Sequence, residues 1–292
     1  MSSKKRIANV LIIGAGWVGR QVAARMAHFG VNVCLTDSDA QIAHDAVTWV
    51  QQIDVETCEP KPTVANWREL VSAVEPLKQL DASHKIVAAA DLALECVPEQ
   101  LSLKKRVLRQ ISAVVPPDCI IASNSSYFVP SMLSQFVGGT QRFAHMHFHV
   151  PVLKRSVCDV VGCEQTDPTV LARLAELAER IAQPPILLRH EHPGYIFNWL
   201  LQSVLKGALE LTAQDVVDPE QVDQSWMAVT GMPVGPFGMM DQIGLDVIEQ
   251  VLSNSRWAGT SALSTERLLD VLRPQIAAGN LGVKTGAGFY RY

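Results

Sequence analysis

Val10-Leu11-Ile12-Ile13-Gly14-Ala15-Gly16-Trp17-Val18-Gly19 decides how this chain folds. An apolar run enters glycines spaced G-x-G-x-x-G, and Val18, Val22 and Met26 then recur at helical spacing up to Gly30. A strand, a tight turn and a helix in that order make a cradle for phosphate. Gly14 permits the turn, Gly16 lets backbone approach a pyrophosphate, and Gly19 lets the helix pack closely, with the anion on helix N–H groups. Trp17 and Val18 fill the two variable positions. Asp37 follows Gly14 at close to the spacing of about 20 residues expected for an acid on the adenosine ribose. Its charge repels a 2′-phosphate, and Thr36, Ser38 and Asp39 supply no arginine to neutralise one, so the expected cofactor is NAD rather than NADP.

Outward from this motif, short apolar runs alternate with helical patterns. Val31 to Leu35, Leu92 to Cys96, Cys119 to Ala122, Phe143 to Phe148, Val157 to Val161 and Ile186 to Leu188 read as strands, and Asp167-Pro168 starts an intervening helix. That is the βαβ signature of parallel, helix-covered strands. After Pro193 strand-like runs stop and long helical patterns take over, with starts at Asp218-Pro219 and Pro236. The expected fold is α/β: a Rossmann-type, mostly parallel sheet domain over 1–189, followed by an all-α domain over 190–292.

The 292 residues are 48% hydrophobic and carry a formal net charge of -4, which leaves no basic footprint for nucleic acid. Nothing approaches the roughly 18 uninterrupted apolar residues of a membrane span, and Met1 to Gly16 reads as the first strand rather than a targeting signal. The six cysteines lack CxxC or zinc spacing, which suits reduced thiols in a cytoplasmic protein without a membrane partner.

Arg142-Phe143-Ala144-His145-Met146-His147-Phe148-His149-Val150-Pro151 carries histidines at period two, on one face of a strand. Three imidazoles on one face could ligate a metal, but no carboxylate or cysteine in the segment completes a ligand set, so no metal is expected. A histidine there could equally be a general base, or a strand-end residue without a role.

In this segment the chain resembles the 3-hydroxyacyl-CoA dehydrogenase family, whose R-F-x-G-x-H-F-F-N-P run holds a catalytic histidine with a glutamate twelve residues later. Arg142-Phe143, His147-Phe148 and Pro151 match, and the later position is Asp159, one methylene shorter. The resemblance extends along nearly the whole chain. Glu95 to Lys105 is similar to E-A-x-x-E-x-x-x-x-K and implies Glu99 and Lys104 beside the cofactor. Ser123-Asn124-Ser125-Ser126 is similar to S-N-T-S-S and implies Ser126 at the substrate hydroxyl. Pro193 to Asn198 resembles P-G-F-I-x-N and implies Asn198 in the active site. Gly231 to Asp241 and Lys284 to Tyr290 resemble the C-terminal signatures, with Lys284 near the cofactor.

The resemblance implies an oxidoreductase of fatty acid metabolism that removes hydride from C3 of a 3-hydroxyacyl-CoA onto NAD. His147 would be the general base, Asp159 would fix its tautomer, and Ser126 and Asn198 would donate hydrogen bonds to the reacting oxygen. It also implies a homodimer formed through the helical domain, where Val204, Ala208 and Leu211 share a helix face that suits a dimer contact and a core equally. Residues 38–60, where the family's helical hairpin meets coenzyme A, contain no Lys or Arg. Glu95-Cys96-Val97-Pro98-Glu99 also resembles the L-gulonate 3-dehydrogenase and lambda-crystallin branch. A free hydroxy acid is therefore the alternative substrate class, and an NAD-binding protein without turnover is a third reading.

Overall fold

The computed structural model describes residues 6–154, 156–253 and 263–292. The chain divides into two units, Met1–Tyr195 and Ile196–Tyr292. This division falls a little beyond the expected 189/190 junction, because Gly194 still donates to the Ser126 carbonyl and the Tyr195 hydroxyl to that of Ser125.

The first unit is one sheet of β1 (Asn9–Ile13), β2 (Asn32–Thr36), β3 (Val71–Ala73), β4 (Leu92–Glu95), β5 (Ile120–Ser123), β6 (Phe143–Phe148), β7 (Cys158–Gly162) and β8 (Pro185–Leu187). Their order is β3-β2-β1-β4-β5-β6-β7-β8. The helices are α1 (Trp17–His28), α2 (Ala40–Gln51), α3 (Lys85–Ala88), α4 (Leu101–Val114), α5 (Pro130–Ser134) and α6 (Pro168–Arg180). Successive β1 residues face opposite ways: Val10 and Ile12 enter one apolar layer, Leu11 and Ile13 the other. Both faces are covered, and so β1 reads as an unbroken apolar run. Strand order reverses between β1 and β4, and the crevice at their carboxyl ends is where such sheets bind nucleotides.

Two features depart from the reading of the sequence. The short edge strand β3 was not anticipated, and β6 and β7 pair antiparallel, with His147 directly opposite Asp159. The connecting residues 149–157 are fewer than the dozen or more that a parallel crossover needs. A third difference concerns the hairpin implied by the resemblance: α2 is present, but residues 52–66 hold only a 3-10 turn at Val55–Thr57. This stretch is fastened by Arg25, fully buried, whose guanidinium donates to the carbonyls of Glu59 (2.7 Å) and Val152 (2.9 Å).

The second unit contains α7 (Phe197–Ala213), α8 (Pro219–Thr230), α9 (Pro236–Ile243), α10 (Leu245–Ser253) and α11 (Thr265–Ala277). Leu205, Leu209, Phe237, Met240, Leu245 and Leu272 form its core. Buried Asp223 accepts from the Phe237 and Gly238 N–H groups at the start of α9, and buried Asp241 from those of Phe289 and Tyr290. These two carboxylates tie the Gly231–Asp241 and Lys284–Tyr290 signatures into one structure. The expected α7 face is split, since Ala208 belongs to the core while Leu211 is exposed. Among the described residues no helix is long and apolar enough to cross a membrane.

Candidate active site

The glycine turn sits as its spacing demands. Gly14 has φ +103°, and a Cβ there would lie 2.7 Å from the Cys96 backbone. On Gly19 it would lie 2.0 Å from the Gly14 carbonyl oxygen, whereas Gly16 faces open space. The N-terminus of α1 has no side-chain cap and no acid in its first turn, so its N–H groups remain available to an anion. Asp37 lies beside them: its Oδ2 accepts from Ala15 N–H (2.8 Å) and its Oδ1 from Ser38 N–H (2.7 Å).

These groups line a cleft of about 900 Å³ together with Trp17, Val18, Glu99, Lys104, Asn124 and Ser126. Trp17 is largely exposed, and the Arg20 guanidinium lies 4.6 Å from both its ring and that of Trp49. An uncapped helix N-terminus after the glycine turn, an acid at the end of β2 and a crevice of this volume fit NAD.

Glu99, at the surface, and buried Lys104 belong to an ionic cluster centred on buried Glu95, the first acid of the same motif, to which the sequence reading gave no role. Lys104 Nζ lies 2.8 Å from Glu95 Oε1 and 3.2 Å from Glu99 Oε2. Glu95 also accepts from Ser123 Oγ (2.6 Å) and Val97 N–H (2.7 Å). Glu99 Oε1 accepts from Ser125 Oγ (2.6 Å) and Tyr127 N–H (2.9 Å). Burial opposes ionisation of Glu99, but the Lys104 charge and these donors outweigh it and hold the carboxyl below its usual range. Lys104 is therefore a fixed charge that braces the turns after β4 and β5.

The register of β6 against β7 sets the catalytic pair. His147 Nδ1 lies 3.1 Å from Asp159 Oδ2, and His147 Nε2 lies 3.1 Å from Ser126 Oγ. His147 and Asp159 are 3% and 1% exposed, so neither has bulk water as a partner. Burial opposes a charge on Asp159, but hydrogen bonds from His147 and His149 hold its pKa below the ordinary value. An ionised carboxylate only accepts, so Nδ1 carries a proton and Nε2 of the neutral ring carries the lone pair facing Ser126, which lines the cleft. Burial also lowers the His147 pKa, opposed by the Asp159 hydrogen bond.

Tyr195 covers the imidazole, its ring stacked at 4.5 Å and 19° from that of His147. Its hydroxyl donates to the Ser125 carbonyl (2.6 Å), which leaves His145 Nδ1–H to donate to the hydroxyl oxygen (2.9 Å). Tyr195 takes φ +52° directly after Gly194 at +78°. Pro193-Gly194 signals such a turn, but which ring the tyrosine meets is a tertiary fact.

His149 completes the cluster, with Nε2 at 2.8 Å from the same Asp159 Oδ2. The sequence segment offered no carboxylate for a ligand set; the sheet supplies one, bringing ligating atoms of His147, His149 and Asp159 within 4.8 Å of one another. Read as hydrogen bonds, both contacts direct an imidazole proton at the one carboxylate oxygen.

The structure thus joins Ser126, His147 and Asp159, and places Gly14, Gly16, Trp17, Val18, Asp37, Glu99 and Lys104 around the cleft, while Gly19 packs behind it against the Gly14 carbonyl. Asn198, half-buried in the first turn of α7, and Lys284, which pairs with Asp246 at 2.5 Å, lie in the second unit.

A Rossmann-type unit with this glycine turn and acid, followed by a helical unit, defines a two-domain NAD-dependent oxidoreductase. The family models agree: residues 9–191 match the NAD binding domain of 3-hydroxyacyl-CoA dehydrogenase and residues 194–292 its C-terminal domain. The chain belongs to the 3-hydroxyacyl-CoA dehydrogenase family. A probable 3-hydroxybutyryl-CoA dehydrogenase of Deinococcus radiodurans is 27% identical, over 96% of this chain and 99% of that one. The 5-formyl-3-hydroxy-2-methylpyridine 4-carboxylate 5-dehydrogenase of Mesorhizobium japonicum is also 27% identical, over 98% and 91%. Among solved structures, a diketoreductase superposes with a TM-score of 0.85 at 31% identity, over 99% of this chain and all of that one.

Proposed function

We propose that this protein catalyses reversible, NAD-dependent oxidation of the 3-hydroxyl of a 3-hydroxyacyl-CoA, with His147 as general base. The observation that carries this reading is the line Ser126 Oγ, His147 Nε2, His147 Nδ1 and Asp159 Oδ2, each contact 3.1 Å, ending in the nucleotide crevice. NAD, when bound, supplies the hydride acceptor. His147 Nε2 removes the hydroxyl proton, Asp159 stabilises the imidazolium that forms, and Ser126 Oγ holds the reacting oxygen. Tyr195 keeps the ring in plane and water off its face.

A second reading, a free hydroxy acid or dicarbonyl compound, is favoured by one observation. Residues 52–66 form no second hairpin helix, and 38–60 hold no cation for the phosphates of coenzyme A. Incubation with NAD and 3-hydroxybutyryl-CoA, L-gulonate or 3-hydroxybutyrate, followed by NADH absorbance, separates the readings. The thioester is expected to turn over fastest; a faster free acid establishes the second reading, and no NADH from any of them reduces the protein to an NAD binder.

The pH dependence has a defined sign. Oxidation needs neutral His147, so kcat/KM should fall as pH drops through that pKa, which burial places below 6.5. Reduction needs the imidazolium and should fall as pH rises through the same value. Asp159 raises this pKa, so Asp159→Asn should move the oxidation limb to still lower pH while reducing kcat. A limb above pH 7 in the wild type would contradict the assignment of His147 as the base.

A further inference from the structure

We infer that His149 is a positioning residue: it holds the Asp159 carboxylate against the His147 imidazole. The inference rests on the reading of His147 as general base. In the motif R-F-x-G-x-H-F-F-N-P, the place of His149 belongs to phenylalanine and that of Asp159 to glutamate. Here the two departures bond to each other at 2.8 Å.

Asp159 has a single methylene between backbone and carboxylate. Directly opposite His147 across the β6–β7 ladder it can reach Nδ1, but only at 3.1 Å, longer than is usual for a charge-assisted bond. Its second donor, His149 Nε2–H, makes the shorter contact to the same oxygen. A carboxylate 1% exposed pays heavily for leaving water, and each donor it keeps offsets part of that cost. His149 thus fixes where the negative charge sits, and through it the tautomer of His147. Its ring also meets His147 edge-on, centroids 4.7 Å apart at 84°, so ring packing and hydrogen bonding can be removed separately.

The test uses the full-length protein and the substrate that the panel above identifies. H149F keeps an aromatic ring without a donor; H149Q keeps an N–H at similar reach. H149F is expected to lower kcat about 10- to 100-fold, by analogy with the loss seen when the outer hydrogen-bond partner of a metal-ligating histidine is removed, with KM changed less than about two-fold. H149Q should stay within about three-fold of wild type. In the D159E background the longer carboxylate makes its own approach, so adding H149F should cost less than about three-fold, which is the coupling a double-mutant cycle measures. Equal behaviour of H149F and H149Q, or an undiminished H149F loss beside Glu at 159, overturns the inference. An active His147→Ala variant would instead overturn the base assignment, so the two failures are distinguishable.

Discussion

His147→Ala is expected to lower the turnover number by about 10²–10⁴-fold, the range that general-base catalysis supplies, while NAD affinity stays within about two-fold. The separation follows from geometry. The groups that fit the dinucleotide are the α1 N-terminus, the glycine turn and Asp37, at the carboxyl ends of β1 and β2. His147 lies on β6, three strands from β1 in the sheet, and meets Ser126, Asp159 and Tyr195. Alanine removes the imidazole nitrogen hydrogen-bonded to Ser126 and, among the described residues, leaves no replacement histidine there, since His145 is fully buried and His149 is committed to Asp159. Fluorescence titration with NAD beside single-turnover formation of NADH would check both halves. Undiminished turnover removes His147 from the mechanism, and loss of NAD binding would show that the ring supports the crevice rather than the chemistry.

The cofactor end of this site was legible because its constraints are local. A glycine turn, the helix after it and an acid at the next strand end are separated by fixed short distances in sequence. The catalytic end depended on pairing between strands. Histidines at period two identify a face, but nothing in the run from Arg142 to Pro151 says which carboxylate lies opposite; antiparallel register against β7 decides it. The brevity of residues 149–157 was a usable signal for that direction. Strand β3, only Val71–Ala73 at the sheet edge, lacks the apolar length that made the other strands visible. The role of Glu95 was hidden for another reason: its motif names the acid, but an acid ending an apolar strand looks like a solvent-facing terminus until Lys104, nine positions on, returns to it from α4.

That returning lysine carries the largest stability effect. Lys104 is 1% exposed and Glu95 fully buried, and Lys104 Nζ contacts both Glu95 oxygens, at 2.8 and 3.1 Å, and the Val97 carbonyl at 3.1 Å. Replacing it with methionine preserves length and packing but strands Glu95 with only Ser123 and Val97 as donors. Removing one partner from a buried pair costs about 3–5 kcal/mol, which for a unit of this size lowers the melting temperature by roughly 6–20 °C. K104M combined with E95Q should recover part of the loss, because the amide oxygen can still accept from Val97 N–H, its NH2 can donate to the Ser123 hydroxyl oxygen, and no counter-charge is required. Glu99 adds a pH signature. Held below its ordinary value largely by Lys104, it contributes stability above about pH 4.5 that is lost as pH falls through its folded value, and this dependence should flatten in K104M. Scanning calorimetry at neutral and acidic pH measures both effects. A K104M protein that melts with wild type would mean that water, rather than protein, solvates the carboxylates, and that the turns beneath the glycine loop and Ser126 are braced by something other than this ion cluster.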